Sequence, residues 1–227
     1  MPRELEPGCG DCEMTEREKV LLIYSGGADS TTLLYHLLDC GWDVETVSFD
    51  YGQRHRKEIE CARAIAQLME VQWDCVVMPD FGNMCTSSLL GDSDIPDGHY
   101  ESENMKQTVV PNRNMMMLSV AAGIAISRSY DSIAFAAHAG DHAIYPDCRH
   151  SFVTSMMSTI NEGNWLDYPF TILSPFLKMS KTDIFELGRS LGVPYDQTWT
   201  CYKGLDKPCG VCGSCVERRE AEMAVGL

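Results

Sequence analysis

The sequence predicts an α/β protein built on a doubly wound parallel sheet, with a cysteine-rich segment at its C-terminal end. Three observations predict it. Short apolar runs bounded by polar or turn residues recur along the chain, helical patterns lie between them, and four cysteines cluster near the end. The first strand is expected at Val20–Tyr24, followed by a helix over Asp29–Leu38. Val44–Phe49 and Val76–Met78 are the next strands. Between them runs "RKEIECARAIAQLM", where Ile59, Ala62, Ala66 and Met69 fall on one helical face. Asp80–Lys106 is rich in Gly, Asp, Ser and Asn and reads as a mobile loop region. Asn114–Ser127 is apolar nearly all round, which predicts a buried helix. A strand over Ser132–Ala137 and helices over Arg149–Ile160 and Lys181–Leu191 complete the pattern. The organisation reads as an acidic, mobile tail over 1–19, an α/β domain over 20–195 and a metal-binding segment over 196–227.

Composition narrows the partners. With 33 acidic and 18 basic side chains, the net charge of −15 repels phosphate backbones, and no Lys/Arg run offsets it. A small ligand is therefore expected and nucleic acid is not. No segment approaches the roughly 20 apolar residues that span a bilayer, and the first nineteen residues lack the apolar core of a signal peptide. The expected location is the cytoplasm. There, eleven cysteines do not read as a disulfide framework.

The most informative stretch is "LIYSGGADSTTLL" over Leu22–Leu34. Paired glycines let a ligand approach the backbone, and the helix that follows presents unpaired N–H groups and a partial positive charge. The turn thus suits a phosphate or pyrophosphate, with hydroxyls of Ser25, Ser30 and Thr31 as further donors. Neither the Walker lysine nor the GxGxxG spacing is present. The plain alternative is a strand–helix turn capped by Ser and Asp. In a sheet of this kind, ligands bind beyond the carboxyl ends of the strands. "SFDYGQRH" after the second strand and "AAHAGDHAIYPDCR" after the fourth converge on the same edge.

The cysteine block spaces Cys201, Cys209, Cys212 and Cys215 as C-x7-C-x2-C-x2-C. Two overlapping CxxC turns match a closed tetrahedral Zn2+ site, with Gly210 and Gly213 allowing the turns. An iron–sulfur cluster, a redox pair and unbound thiols are the alternatives. Cys9 and Cys12 form a lone CxxC in the tail. Cys40, Cys61 and Cys75 are expected in the core, and Met115–Met117 in packing.

"SGGADST" resembles the SGGxDS signature of the PP-loop ATP pyrophosphatases, which split ATP between its α and β phosphates. "SFDYGQRHRKEIECARAIA", "VVPNRNMMMLSVAAGIA", "YPDCRHSFV", "TWTCY" and the cysteine block together resemble the 7-cyano-7-deazaguanine synthase family, in the family's order, from about Val20 to about Glu217. Ala28 stands where the family often has Gln, and "VPNRN" replaces a frequent "VPGRN". The resemblance implies an adenine-nucleotide-hydrolase-like fold and ATP with Mg2+. The family's substrate is 7-carboxy-7-deazaguanine, and its nitrogen source is free ammonia, since the chain has no room for a glutaminase domain. It implies that the cysteine block holds structural zinc, and the family is often homodimeric. ATP is then expected at Tyr24, Ser25, Gly26, Gly27, Ala28, Asp29, Ser30, Thr31, Thr32, Leu33 and Leu34. Substrate is expected at Tyr51, Gln53, Arg54, Arg113, Asn114, His138, Asp141, Tyr145, Asp147, Arg149 and Lys178. Two rivals stand beside this reading. A PP-loop tRNA thiolase would need a basic face and a reactive cysteine, and a nucleotide sensor would bind ATP without turning it over.

Overall fold

A computed structural model describes residues 18–90, 94–99 and 103–227. The N-terminal tail, with Cys9 and Cys12, lies outside the described residues. The chain runs β1 (Lys19–Ile23), α1 (Ala28–Asp39), β2 (Asp43–Asp50), α2 (Lys57–Leu68), β3 (Trp73–Val77), α3 (Pro79–Met84), α4 (Arg113–Ser127), β4 (Ser132–Ala134), α5 (His150–Gly163), β5 (Thr171–Leu173), α6 (Lys181–Ser190) and α7 (Gly213–Val225). The five strands form one parallel sheet in the order β3-β2-β1-β4-β5. β1 is central, which explains its continuous run of apolar residues: Val20, Leu21 and Leu22 are all fully buried.

Alternation along β1 divides the core. Leu21 packs with Leu118 and Ala121 of α4 and Val153 of α5, while Val20 and Leu22 pack with Leu33, Leu34 and Leu37 of α1, Ile65 of α2 and Ile184 of α6. Right-handed crossovers impose this. The chain leaves β1 toward β2 and β3 on one side, then returns across the sheet to β4 and β5, so α4 and α5 cover the opposite face while α6 comes back beside α1. The point where the order reverses lies between the carboxyl ends of β1 and β4.

Sequence expectations need four corrections here. The fifth strand, Thr171–Leu173, was not expected; three residues between polar turns carry too little pattern. The stretch Asp80–Lys106 is not simply loop. It contains most of α3 and most of a short 3-10 helix over Glu103–Thr108, and it sends Leu89, Leu90, Ile95 and Met105 into the core. Helix α4 is not buried all round, since Met115 is 42% exposed and Ser119 and Gly123 face outward. Cys40 is exposed, and Cys61 and Cys75 are only partly buried.

Candidate active site

A cleft of about 230 Å3 opens at the β1/β4 switch point. One wall is the glycine turn. Gly26 has a φ of +80°, and a Cβ there would collide with the Glu58 carbonyl oxygen and the Ala62 amide nitrogen of α2. Glycine therefore does two things at once: it turns the chain and lets α2 seat directly against the loop. The Gly27 amide donates to Ser25 Oγ at 3.2 Å, and Ser25 and Ser30 hydroxyls lie 3.0 Å apart. Tyr24, Ser25, Gly27, Ala28, Asp29 and Ser30 line the cleft. The remaining loop residues of the sequence reading do not. Thr31 Oγ1 donates to the Gly27 carbonyl at 2.8 Å and Thr32 Oγ1 to the Ala28 carbonyl at 2.9 Å, so both hydroxyls serve the helix. Leu33 and Leu34 belong to the core.

Behind the loop sits a buried charge cluster that the sequence reading missed. Lys181, only 9% exposed at the start of α6, donates to Asp29 Oδ2 at 2.7 Å and pairs with Glu217 of α7 at 3.4 Å. Burial opposes the Lys181 charge, yet its two carboxylates and Asp141 hold the ammonium's pKa above its ordinary value. Burial likewise opposes ionisation of Asp29, but Lys181 and His138 hold its carboxyl below the usual range. Asp29 Oδ1 is buried and without a hydrogen-bond partner. Lys181 heads "KTDIFELG", where a helical face pattern reads it as a solvated first-turn lysine. Only the packing of α7 on α6 encloses it.

Across the cleft, Arg113 and Asn114 open α4. Arg113 forms no ion pair among the described residues; its guanidinium lies 5.8 Å from the centre of the Tyr145 ring. Burial works against its charge, while Tyr51, Tyr145, Tyr202 and the Asp147 carboxylate favour it, and the guanidinium stays charged. Tyr145 shares a 2.6 Å hydroxyl contact with Thr108. Tyr51, Arg113, Asn114, Asp141 and Tyr145 all line the cleft. Cys148 does too. Burial and the neighbouring Asp141 and Asp147 push its thiol up, which disfavours the thiolate.

Six residues of the expected substrate set do not line the cleft. Gln53 is a buried clamp: it accepts from the Tyr51 amide at 2.9 Å and donates to the Phe49 carbonyl at 2.9 Å. Arg54 presents its carbonyl to Gly204, where a Cβ would collide with it. Asp147 accepts from the Asn114 amide at 3.2 Å, satisfying the start of α4 and not the start of α5. His138 Nδ1 accepts from the Gly140 amide at 3.1 Å, capping a short 3-10 turn. Arg149 is exposed and donates to the His142 carbonyl at 2.9 Å. Lys178 is exposed at the end of a 3-10 turn. In their place the cleft gains His55 and Glu58 before and within α2, Trp199 just before and Tyr202 just after the first cysteine of the block, and Lys181 and Glu217. His55, Glu58, Trp199 and Tyr202 lie within motifs that carried the family resemblance, but nothing local marks them as cleft residues.

The four cysteines come together as their spacing predicts. Their sulfur atoms all lie within 4.8 Å of one another, and Cys209 and Cys215 Sγ are 3.9 Å apart. A tetrahedral zinc with Zn–S bonds of about 2.3 Å needs sulfurs roughly 3.8 Å apart, so the four residues fit that ion. The segment is tied to the glycine turn. The Trp199 amide donates to the Gly26 carbonyl at 3.0 Å, and Arg218 of α7 donates to the carbonyls of Tyr195 and Thr198 at 2.6 and 3.2 Å.

A parallel sheet in this order, with a glycine turn and a polar cleft at its switch point, defines the chain as an α/β protein of the PP-loop ATP pyrophosphatase fold. The fold is similar to NMN synthetase from Francisella tularensis (TM-score 0.53, 11% identity, 93% of this chain and 78% of that one). It is similar as well to a 4-thiouridine synthetase solved with RNA and bound ATP (TM-score 0.52, 16% identity, 92% of this chain and 50% of that one). The chain belongs to the family described as queuosine biosynthesis protein QueC, whose pattern matches residues 19–226. Relatives named 7-cyano-7-deazaguanine synthase include one from Methanoregula boonei, 48% identical over 92% of this chain and 95% of its own length. Another, from Alteromonas mediterranea, is 49% identical over 90% and 93%. A third, from Archaeoglobus fulgidus, is 43% identical over 92% and 87%.

Proposed function

We propose that this chain is an ATP-dependent C–N ligase that converts 7-carboxy-7-deazaguanine and ammonia to 7-cyano-7-deazaguanine, the activity its relatives are named for. One observation carries the reading at the site. A glycine turn fit for a polyphosphate shares a cleft with the Arg113 guanidinium, a charge without an ion-pair partner among the described residues. An anionic substrate completes it.

Carboxylate is a poor electrophile, so adenylation must precede amine attack. The substrate carboxylate, oriented by Arg113, attacks the α-phosphate of ATP and pyrophosphate leaves. The Gly27 and Ser30 region, at the positive end of α1, stabilises the charge gathering on that leaving group. Ammonia displaces AMP and gives the amide. The amide oxygen then attacks a second ATP, and loss of AMP leaves the nitrile. Asn114, Asp141 and Tyr145 contact the base, while Tyr51 supports Arg113. Mg2+ would be held by Asp29, whose Oδ1 is a buried orphan, together with the phosphates, and would neutralise charge on the leaving pyrophosphate. Cys201, Cys209, Cys212 and Cys215 would hold zinc as a closed structural site with no open position for catalysis.

The same reading takes residues 20–195 as the nucleotide-binding unit and 196–227 as the segment that closes it. It makes the chain a cytoplasmic homodimer with no nucleic-acid partner. Among the described residues, no helix is long and apolar enough to cross a membrane. Purified protein incubated with 7-carboxy-7-deazaguanine, ammonium, ATP and Mg2+ should give nitrile and AMP by mass spectrometry. An unchanged base with no AMP would sink the reading, and amide without nitrile would limit it to the first activation.

A further inference from the structure

Glu58 is a cleft residue that neither the fold nor the zinc segment requires. It stands in the first turn of α2, 15% exposed, with Oε1 held from two directions. His55 Nε2 lies 3.2 Å from that oxygen and Gln53 Nε2 donates to it at 3.3 Å. Both clamps are themselves buried, and Gln53 is anchored to the strand end through the Phe49 carbonyl. The second oxygen, Oε2, has no partner among the described residues and is not among the buried, unsatisfied atoms. One carboxylate oxygen is thus fixed and the other is offered to the cleft.

Its position matters as much as its clamp. Through the missing side chain of Gly26, the Glu58 backbone packs directly on the phosphate loop. Burial raises the Tyr51 phenol's pKa and the nearby Glu58 carboxylate adds to it, while Arg113, hydrogen-bonded to Tyr51, opposes it; all three line the cleft. Glu58 therefore borders the space between the loop that takes the phosphates and the guanidinium that takes the carboxylate. In an acyl-adenylate that space holds the carbonyl carbon, where the nitrogen must arrive.

Ammonia in neutral water is nearly all ammonium, which is attracted by a carboxylate and by aromatic faces but has no lone pair for attack. We propose that Glu58 binds ammonium in the cleft and accepts its proton, a role that rests on the synthase reading above. The step balances. Ammonium gives one proton to Glu58 Oε2, and the freed nitrogen lone pair forms the C–N bond at the acyl carbon. The carbon–oxygen bond to the adenylate breaks with AMP taking the electron pair, and the nitrogen's second proton passes to solvent, leaving the neutral amide. His55 and Gln53 act as positioning residues, holding the carboxylate so that only one oxygen is committed to the protein.

The test is Glu58→Gln, which keeps an oxygen for both clamps and removes only the charge and the basicity. Substrate-dependent exchange of pyrophosphate into ATP, which reads adenylation alone, should stay within about threefold of the parent. Amide and nitrile formation should fall tenfold or more, with a raised KM for ammonium. Hydroxylamine, which is uncharged at neutral pH, should still trap the adenylate as the hydroxamate at near-parental rate. His55→Asn should show a smaller defect with the same pattern. Exchange falling in parallel with amide formation, or hydroxamate lost with amide, would make Glu58 merely structural and overturn the proposal. An unchanged KM for ammonium in Glu58→Gln would also overturn it. If the parent enzyme makes neither AMP nor amide, the synthase reading itself fails, and the two failures are told apart.

Discussion

Lys181 shows what one residue carries in this molecule. Its ammonium ties the phosphate loop through Asp29 to α7 through Glu217, with little solvent to screen either contact. Removing one partner of a buried pair leaves the others uncompensated, at a cost of about 3–5 kcal/mol. Lys181→Met should therefore lower stability by that order in denaturant titration and weaken ATP binding measured by calorimetry. The pH dependence follows from the shifts. Asp29 has a folded pKa below its ordinary 3.8, so its contribution is complete above that value and is lost as pH falls through the lower folded one. Lys181 has a raised folded pKa, so its contribution is complete below its ordinary 10.5 and is lost as pH rises through the higher folded value. Burial raises the Glu217 carboxyl and Lys181 pulls it down, so in Lys181→Met both carboxylates titrate at higher pH than in the parent, and the stability difference should shrink as pH falls from neutral. Arg113→Ala should instead leave stability near parental and raise the KM for the carboxylate substrate. A charged hydrogen-bond pair is worth about 1.5–3 kcal/mol, roughly ten- to a hundredfold.

At the scale of elements, the loop between β1 and α1 depends on what packs against it. Gly26→Ala would place a β-carbon at a positive φ and drive it into α2. It should cost more than about 1 kcal/mol in thermal unfolding and reduce ATP affinity as the loop or α2 shifts. The cysteine segment is the second such dependence. Its chain passes from Trp199, bonded to Gly26, through Cys201 to α7, which packs on Ala28 and Phe185. Metal withdrawal by a chelator, or Cys209→Ser, should therefore lower ATP affinity as well as the helical circular-dichroism signal. Loss of metal with ATP binding unchanged would show that the segment is only a tail.

For the whole molecule, the uneven placement of charge is decisive. The chain carries a net charge of −15, yet Asn114–Ser127 of α4 holds no charged side chain and leaves Met115 exposed. Two copies repel elsewhere and can meet there, which is the physical basis for proposing a homodimer. Met115→Glu should shift sedimentation toward the monomer. The surface of α4 also shows why its burial was misjudged: an apolar helix reads the same whether its outer face meets this chain or another. The cleft-lining glycine turn was legible, because paired glycines and small hydroxyl residues between a strand and a helix are a local pattern. Lys181 and Glu217 were not, because their partners lie far away in the chain, and Glu58 was not, because only the fold brings its locally clamped carboxylate beside the glycine turn and Arg113.

The sequence by itself determined the parallel α/β class, through apolar runs and helical faces that each element carries locally. It determined the glycine turn between β1 and α1 and the four clustered thiols, which are set by spacing of a few residues. The tertiary structure decided which polar side chains share the cleft. It gathered Asp29, Lys181 and Glu217, turned Asp147, His138 and Gln53 to backbone support, and left Arg149 and Lys178 in solvent. The reason is physical. A buried charge or an unpaired oxygen is defined by what surrounds it, and surroundings exist only once the crossovers have brought distant strand ends together.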